Sequence, residues 1–315
     1  MRIVLALGGN ALLKRGETLD AEIQRRNISS AVATAIAPIA RRHEVVITHG
    51  NGPQIGLLAL QSAAYSAVRA YPLDVLGAES EGMIGYLLEA EIAGALPGRE
   101  IATLLTQVEI DPADPAFRAP SKPIGPLYGE AEARHLEREM SWSMMRDGEM
   151  WRRAVPSPAP LRIREINTIK LLLRSGVIVI CAGGGGIPVV AAPDHGIRGV
   201  EAVIDNDLAA ALLAQSLAAD ALLLLTDVAG VWPRWPSTEG QPLRRTTPLE
   251  LRTYSFAAGS MGPKVEAACR FVEATGGRTG IGLIAQAEAI LAGSAGTIVG
   301  PAWRGSRLRM AAAAC

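Results

Sequence analysis

The chain has 315 residues, enough for one large domain or two small ones with a sizeable buried core. Apolar residues make up 49% and charged residues 20%, and 31 basic residues balance 31 acidic ones. Zero net charge argues against a nucleic-acid-binding protein, but leaves room for a local basic pocket that takes a small anion. Three widely spaced cysteines indicate no disulfide framework and fit a cytoplasmic setting. Because every apolar run is far shorter than the ~20 residues of a membrane span, we expect neither a signal peptide nor a membrane contact.

Short apolar runs that end in glycine or polar turns alternate with longer segments of helical periodicity. This alternation predicts a mostly parallel sheet covered by helices on both faces, in one domain over residues 1–315. In such a fold, ligands bind at the carboxyl ends of the strands. The predicted strands are 2–7, 44–48, 101–108, 177–182, 221–225, 279–284 and 297–299. The predicted helices are 17–42, 54–68, 80–95, 131–146, 205–217 and 262–274.

One segment interrupts this rhythm. Residues 111–126 contain five prolines, which predicts no regular structure there. A charged helical piece and a second proline-rich run follow, so residues 111–160 are too long for an ordinary loop and indicate a protruding lid subdomain. The alternative is a disordered insertion, against which Trp142, Met144, Met145 and Trp151 supply apolar surface.

Glycine-rich turns follow three of the predicted strands. Gly8-Gly9-Asn10 follows the first, and its glycines would let backbone N–H groups approach a phosphate, although a simple tight turn has the same pattern. His49-Gly50-Asn51-Gly52-Pro53 follows the second, where His49 is either a base or hydrogen-bonded scaffold. Gly183-Gly184-Gly185-Gly186 follows the fourth, and four glycines cost enough entropy to indicate close approach of a ligand.

Charged residues at two predicted helix starts add to this pattern. Asp205 has the position of a helix N-cap, whereas Asp207 would orient cations or hold Mg²⁺. Lys264 lies in the first turn of a helix, where the helix dipole disfavours a cation unless an anion lies between them. Lysine is rare here, with 27 Arg beside only four Lys, and the compact charge of Lys suits a moving phosphoryl group. The four are Lys14, Lys122, Lys170 and Lys264.

Several common catalytic motifs are missing from the sequence. There is no Gly-Lys dipeptide for a Walker-type loop, no GxSxG elbow, and no CxxC or HExxH zinc spacing. The GIGLIA stretch at 280–285 matches a loose dinucleotide pattern, but it lies within a strand-like run without a following acidic residue, so we treat it as chance.

Taken together and in order, the motifs resemble the carbamate kinases of the amino acid kinase family. The resemblance runs from residue 3 to about 275, and the proline-rich KPIGP segment distinguishes these enzymes from other family members. The matching stretches are VLALGGNALL, THGNGPQIGLLALQ, YPLDVLGAESEGMIGYLLE, TQVEIDPADPAF, SKPIGPLY, WRRAVPSP, CAGGGGIPVV, GVEAVIDNDLAAALL, LLLLTDV and GSMGPKVEAACRFVE.

This resemblance implies a three-layer αβα sandwich with a protruding subdomain, a homodimer, and reversible phosphoryl transfer between MgATP and carbamate. Lys122 would reach in from the subdomain, Asp207 would organise the lysines, and Lys264 would bind the nucleotide phosphates. Beside the transferred phosphoryl group and the carbamate would lie Gly8, Gly9, Asn10, Gly50, Asn51, Gly52, Gly183, Gly184 and Gly185. Along the nucleotide would lie Thr226, Asp227, Val228, Asn206, Met261 and Gly262.

Carbamate is already an anion, so this reaction needs no general base, and catalysis reduces to alignment and charge neutralisation. One residue departs from the family pattern, because Asn206 stands where these enzymes carry a phosphate-contacting Lys. Loss of one such donor typically costs roughly 10²–10³ in rate. Three interpretations stay open: a slow enzyme, an enzyme in which Arg198 or Lys14 replaces the missing cation, or a nucleotide-binding sensor without useful turnover. A family kinase with another acceptor is a further alternative.

Overall fold

The computed structural model describes residues 1–14, 16–65, 70–192, 196–256 and 261–301, with the side chains of Asn10 and Ala11 left out of the description. The strands are β1 Arg2–Leu7, β2 Glu44–His49, β3 Ile101–Thr103, β4 Gln107–Ile110, β5 Lys122–Tyr128, β6 Ser143–Asp147, β7 Met150–Val155, β8 Pro160–Ile163, β9 Ile178–Ile180, β10 Ile187–Ala191, β11 Ile197–Gly199, β12 Ala221–Thr226, β13 Arg245–Thr246, β14 Arg278–Leu283 and β15 Thr297–Val299. The helices are α1 Gly9–Leu12, α2 Ala21–Ala31, α3 Ala37–Ala40, α4 Gly52–Tyr65, α5 Leu73–Ala95, α6 Glu130–Met140, α7 Ile166–Arg174, α8 Asn206–Ser216, α9 Pro248–Leu251, α10 Met261–Thr275 and α11 Ala287–Leu291.

The central sheet has eight strands in the order β13-β15-β14-β12-β1-β2-β9-β3. All neighbouring strands are parallel except β14 and β15. Side chains alternate across β1, so that Ile3, Leu5 and Leu7 enter one core, with α2, α5 and α11, and Val4 and Ala6 enter the other, with α7, α8 and α10. The predicted αβα sandwich with a mostly parallel sheet is therefore confirmed.

Two smaller sheets accompany the central sheet. One has the strand order β11-β10-β4-β8. The other has the order β5-β7-β6. Residues 122–155 contain this sheet and helix α6, and we call them the three-stranded unit. No helix in the described part of the chain is long and apolar enough to cross a membrane.

The proline-rich segment corrects our prediction of no regular structure in residues 111–126. Lys122–Tyr128 is a strand, and Pro115–Phe117 is a 3₁₀ turn. Proline is tolerated because β5 is an edge strand that pairs only with β7, and because its register shifts after Ile124. Without its N–H a proline cannot donate to a ladder, but an edge strand and a bulge each leave donors unused.

Other boundaries also differ from the predictions. The single predicted strand 101–108 is two strands in different sheets, β3 and β4, and the predicted helix 131–146 is α6 followed by β6. Ser141, with φ at 52°, adopts the left-handed conformation that ends α6. Helix 17–42 begins later, after the N-cap Asp20, and includes a π-helical turn at Val32–Ile36. Helix 80–95 begins earlier, after Pro72, whereas residues 66–68 of the predicted helix 54–68 lie outside the described residues.

Candidate active site

The carboxyl ends of four adjacent parallel strands meet at one edge of the central sheet, and the glycine turns lie there. The N–H of Gly8 donates to Leu225 O at 2.8 Å, and the N–H of Gly50 donates to Leu7 O at 2.8 Å. A Cβ atom at Gly50 would lie 2.7 Å from Gly9 N, closer than real Cβ contacts. The turns after β1 and β2 therefore touch through their backbones, and glycine is required for that approach.

The four-glycine turn after β9 packs against the turn after β2. Gly184, Gly185 and Gly186 all have positive φ, which glycine adopts without strain. A Cβ atom would meet the His49 ring at Gly183, the Asn51 side chain at Gly184 and Ile204 O at Gly185, each at 2.4 Å or less. The glycines thus have a packing reason within the protein. Gly184 lines the cavity described next, while Gly183 and Gly185 are buried behind it.

A cavity of about 330 Å³ separates these turns from the three-stranded unit. Its walls come from the turns after β1, β2 and β9, from the start of α8 and from the strands β5 and β7. The lining residues other than proline and Leu208 are Gly9, Gly50, Asn51, Gly52, Ser121, Lys122, Arg152, Ser157, Gly184, Asp205 and Asn206. Six of the residues that we predicted to lie beside the substrates share this cavity: Gly9, Gly50, Asn51, Gly52, Gly184 and Lys122. The side chain of Asn10 lies outside the description.

Two lysine–aspartate pairs lie at and beside the cavity. Lys122 Nζ donates to Asp205 Oδ2 at 2.5 Å, and Lys264 Nζ lies 3.0 Å from both carboxylate oxygens of Asp207. A Cβ atom at Gly8 would lie 3.6 Å from Lys264 Nζ, so this ammonium lies beside the turn after β1. The two pairs bring cations from β5 and α10 to the N-terminus of α8, where Asp205 and Asp207 lie.

Burial and mutual attraction compete in setting the pKa values of this cluster. Burial alone would raise the pKa of Asp205, but Lys122 and Lys264 outweigh it and hold that pKa below its usual value. Burial and the neighbouring Asp205 raise the pKa of Asp207. Burial would lower the pKa of Lys264, but the facing carboxylates, chiefly Asp207, raise it. The lysine is thus held as a cation.

Asp205 caps the start of α8 and also holds Lys122, and its position in the sequence indicates only the first of these roles. Its Oδ1 accepts hydrogen bonds from the N–H groups of Asp207 at 2.9 Å and Leu208 at 3.3 Å, which confirms the N-cap. Its Oδ2 holds Lys122 across the cavity, a contact that sequence spacing cannot show. Between these groups, the buried Asn206 accepts a hydrogen bond from Thr48 Oγ1 at 3.0 Å and brings no charge.

The residues that we considered as replacements for the missing cation lie elsewhere. Arg198 lies on the exposed strand β11 and does not line the cavity. Lys14 lines a neighbouring cavity of about 450 Å³ between the segment after α1, helix α4 and strand β5. Arg152, which we did not single out, lines both cavities. Its only sequence signal was its place in the WRRAVPSP stretch.

His49 has the surroundings of a scaffold residue. It is 1% exposed, and its Nδ1–H donates to Gly50 O at 3.2 Å. Burial lowers its pKa to about 4, so the ring is neutral at physiological pH. His49 is not among the residues that line the cavity, and its ring packs against Gly183. These contacts favour the scaffold interpretation over a catalytic base.

Of the residues predicted along the nucleotide, Asn206 lines this cavity, whereas Thr226, Asp227, Val228, Met261 and Gly262 are not among its lining residues. Thr226 is buried at the end of β12, 3.9 Å from a Cβ atom built on Gly8, and its hydroxyl donates to Asp227 Oδ1 at 3.1 Å. Val228 is half-buried and packs against the core, and Met261 and Gly262 begin α10 just before Lys264. The structure therefore groups Lys264 with the end of β12, on the side of the cavity away from the three-stranded unit.

Comparison with known proteins matches this geometry to one family. The model of the amino acid kinase family matches residues 1–281. Carbamate kinase of Rhizobium meliloti is 54% identical over 302 residues, covering 95% of this chain and 93% of that protein. Carbamate kinase of Escherichia coli K12 is 50% identical over 297 residues, covering 94% and 98%. Among solved structures, carbamate kinase from Giardia lamblia bound to AMP-PNP superposes with a TM-score of 0.85 at 39% identity, covering 95% and 98% of the two chains. The chain therefore belongs to the amino acid kinase family.

Proposed function

We propose that this chain is a carbamate kinase, which transfers a phosphoryl group reversibly between MgATP and carbamate to give ADP and carbamoyl phosphate. The usual direction in the cell would be synthesis of ATP. The observation that carries this proposal is the cavity in which the backbone turns after β1 and β2 face Lys122 and Asp205, with Lys264 and Asp207 beside it. Relatives named carbamate kinase, about half identical over nearly the whole chain, support the choice of substrate.

The chemistry of transfer suits these residues. The attacking oxygen of ADP and the departing carbamate are both anions, so neither needs a proton to be removed. What the site must do is align them and offset charge on the phosphoryl oxygens. Backbone N–H groups of Gly9 and Gly52, in the turns after β1 and β2, would hold the phosphoryl group, and Lys122 would reach it from the three-stranded unit. Asp205 keeps the Lys122 ammonium in place between turnovers.

The nucleotide would bind along the end of β12 and the start of α10. Lys264 would hold its phosphates, with Asp207 orienting the ammonium, and Thr226, Asp227, Val228, Met261 and Gly262 would line the nucleoside side. In the described part of the chain no group of three or more His, Cys, Asp or Glu side chains could hold a metal ion. Mg²⁺ takes few protein carboxylates when phosphates are present, so it would be held mainly by phosphate oxygens, with Asp207 as a protein ligand. When bound, the ion would neutralise charge on those phosphates.

We also propose a role for the segment around the three-stranded unit. Residues 111–160 would act as a lid within a single domain of 315 residues, because Lys122 and Arg152 both belong to it and both line the cavity. Movement of this segment would admit carbamoyl phosphate and then exclude water.

A homodimer in the cytoplasm completes the proposal. Val75, Met83 and Tyr86 are exposed apolar side chains on one stripe of α5, next to β3, which is the edge strand of the central sheet. Such a surface suits burial against a second copy of the chain.

The proposal is tested by ATP formation from MgADP, read by luciferase, with carbamoyl phosphate and acetyl phosphate offered at equal concentrations. A carbamate kinase forms ATP from carbamoyl phosphate far faster than from acetyl phosphate. A preference for acetyl phosphate would assign the chain to another acceptor. Binding of ADP without turnover from either donor would point to a nucleotide sensor.

A further inference from the structure

The two lysine–aspartate pairs at the cavity carry no net charge. Lys122 is paired with Asp205, and Lys264 is paired with Asp207. Two cations and two anions cancel, although the ligands of a phosphoryl-transfer site carry several negative charges. Asn206, which begins α8 at the cavity wall, adds no charge.

Arg152 is a cation at the cavity that belongs to neither of these two pairs. It lines the cavity from strand β7, and its counter-ion is not a cavity residue. Asp147, on the neighbouring strand β6, lies 3.4 Å from Arg152 Nε, and the Asp147 side chain is half exposed. An ion pair with so exposed a carboxylate is screened by water and contributes little. The positive charge of Arg152 is therefore available to an anion in the cavity.

The hydrogen bonds of the Arg152 guanidinium also indicate that it can bind an anion. Nε of Arg152 is buried and makes no hydrogen bond within the described residues, because the Asp147 contact lacks hydrogen-bond geometry. A buried donor without an acceptor is costly, so no hydrogen bond in the described residues fixes the guanidinium, and a shift towards a ligand oxygen would relieve that cost. Guanidinium groups offer paired N–H donors whose spacing matches the oxygens of a phosphate.

We propose that Arg152 is a catalytic residue that binds the transferred phosphoryl group and supplies the positive charge that position 206 lacks. The inference rests on the proposed carbamate kinase function. It differs from our earlier candidates Arg198 and Lys14, which do not line the cavity.

Arg146 provides a matched control on the same small sheet. It pairs across β6 and β7 with Trp151, whereas Arg152 pairs with Met145. Because neighbouring residues of a strand point to opposite faces, Arg146 and Arg152 lie on opposite faces of this ladder. Arg146→Gln removes the same charge from the same unit without touching the cavity.

The test compares Arg152→Gln, Arg152→Lys, Arg146→Gln and Asp147→Asn with the unaltered chain in ATP formation. We expect Arg152→Gln to lower kcat by roughly 10²–10³, as loss of one preorganised donor does, with KM for ADP changed less than about twofold. Arg152→Lys should recover part of that loss. Arg146→Gln and Asp147→Asn should keep kcat, because neither removes the cation. An unchanged kcat in Arg152→Gln would overturn the proposal. So would an Asp147→Asn variant as slow as Arg152→Gln, since the ion pair and not the charge would then matter.

A binding measurement separates this inference from the proposed function. Inorganic phosphate is titrated by calorimetry into the unaltered chain, Arg152→Gln and Arg146→Gln, after thermal melts show that all three fold. We expect weaker phosphate binding in Arg152→Gln alone. If the unaltered chain makes no ATP, the proposed function fails, yet the titration still decides whether Arg152 binds the phosphoryl oxygens. Equal phosphate affinity in all three proteins would overturn the inference.

Discussion

Substitution of Gly56 by alanine should slow phosphoryl transfer from outside the active site. Gly56 lies on α4 where this helix meets β5, and a Cβ atom there would lie 1.9 Å from Gly125 Cα and 2.3 Å from Gly125 N. Ordinary contacts of a Cβ atom begin near 3.4 Å, so helix and strand must move apart by about 1.5 Å. The obstacle is backbone, which no rotamer change can clear.

The displaced strand begins with Lys122, three residues before Gly125. A misplacement of about 1 Å in a group that aligns reactants can cost about 10²-fold in rate. We therefore expect Gly56→Ala to lower kcat for ATP formation by about 10², with little change in ADP affinity, because the nucleotide side lies on α10 and β12. Overpacking should also lower the free energy of unfolding by about 1–3 kcal/mol.

The assay pairs steady-state ATP formation with direct titration of ADP and with denaturant unfolding. Gly94→Ala on α5 is the control, because a Cβ atom there meets nothing within 4 Å. That variant should keep kcat and gain about 0.5–1 kcal/mol from the improved helix propensity. A Gly56→Ala variant with unaltered kcat and unaltered stability would refute the reasoning that the contact of α4 with β5 fixes Lys122.

Three further substitutions test the site and its support. Lys122→Ala should lower kcat by roughly 10²–10³ while ADP affinity stays within about twofold, and a change in ADP affinity alone would contradict our placement of the lid. His49 has a pKa of about 4 in the fold, below its value in the unfolded chain, so stability is lost as pH falls from about 6.5 towards 4. Between pH 7 and pH 5, the free energy of unfolding should fall by about 2 kcal/mol less in His49→Gln than in the unaltered chain, as measured by denaturant titrations. If the free energy of unfolding depends on pH equally in both proteins, the buried ring is not held neutral. Burial raises the pKa of Glu81, whose Oε2 accepts a hydrogen bond from the N–H of Thr106. The contribution of the protonated Glu81 carboxyl to the free energy of unfolding is therefore lost as pH rises above about 4.5. Glu81→Gln keeps an acceptor for that N–H and should raise the free energy of unfolding more at pH 8 than at pH 5; an equal change at both would show that the carboxyl does not titrate with folding.

Features that follow from local sequence were predictable. The strands β1, β2 and β12 each contain an uninterrupted apolar run, which is the signature of strands buried on both faces. The parallel arrangement then places the turns after them at one edge, so the grouping of Gly9, Gly50 and Asn51 follows from the fold class. The N-cap Asp205 is likewise a local signal.

Features that depend on pairing partners were not predictable. Residues 101–108 are predicted as one strand, yet β3 and β4 belong to different sheets, because β3 pairs with β9 and β4 pairs with β10. Pro123 and Pro126 argue against a strand unless one knows that β5 is an edge strand with a register shift. The Lys122–Asp205 contact joins residues 83 positions apart and depends on how the three-stranded unit faces α8. Arg152 becomes a candidate site residue only once the structure shows that it lines the cavity and that Lys122 and Lys264 are paired with aspartates.

We propose that the chain catalyses phosphoryl transfer although Asn206 stands where the family resemblance leads us to expect a lysine. The most direct measurement is the rate of ATP formation from MgADP and carbamoyl phosphate by the unaltered chain and by Asn206→Lys, side by side. We expect the unaltered chain to turn over at about 1–100 per second, as kinases do, and the added lysine to change the rate little, because the Arg152 cation already lines the cavity. If the unaltered chain is silent and Asn206→Lys gains activity, then Asn206 disables the enzyme and no other cation replaces the lysine.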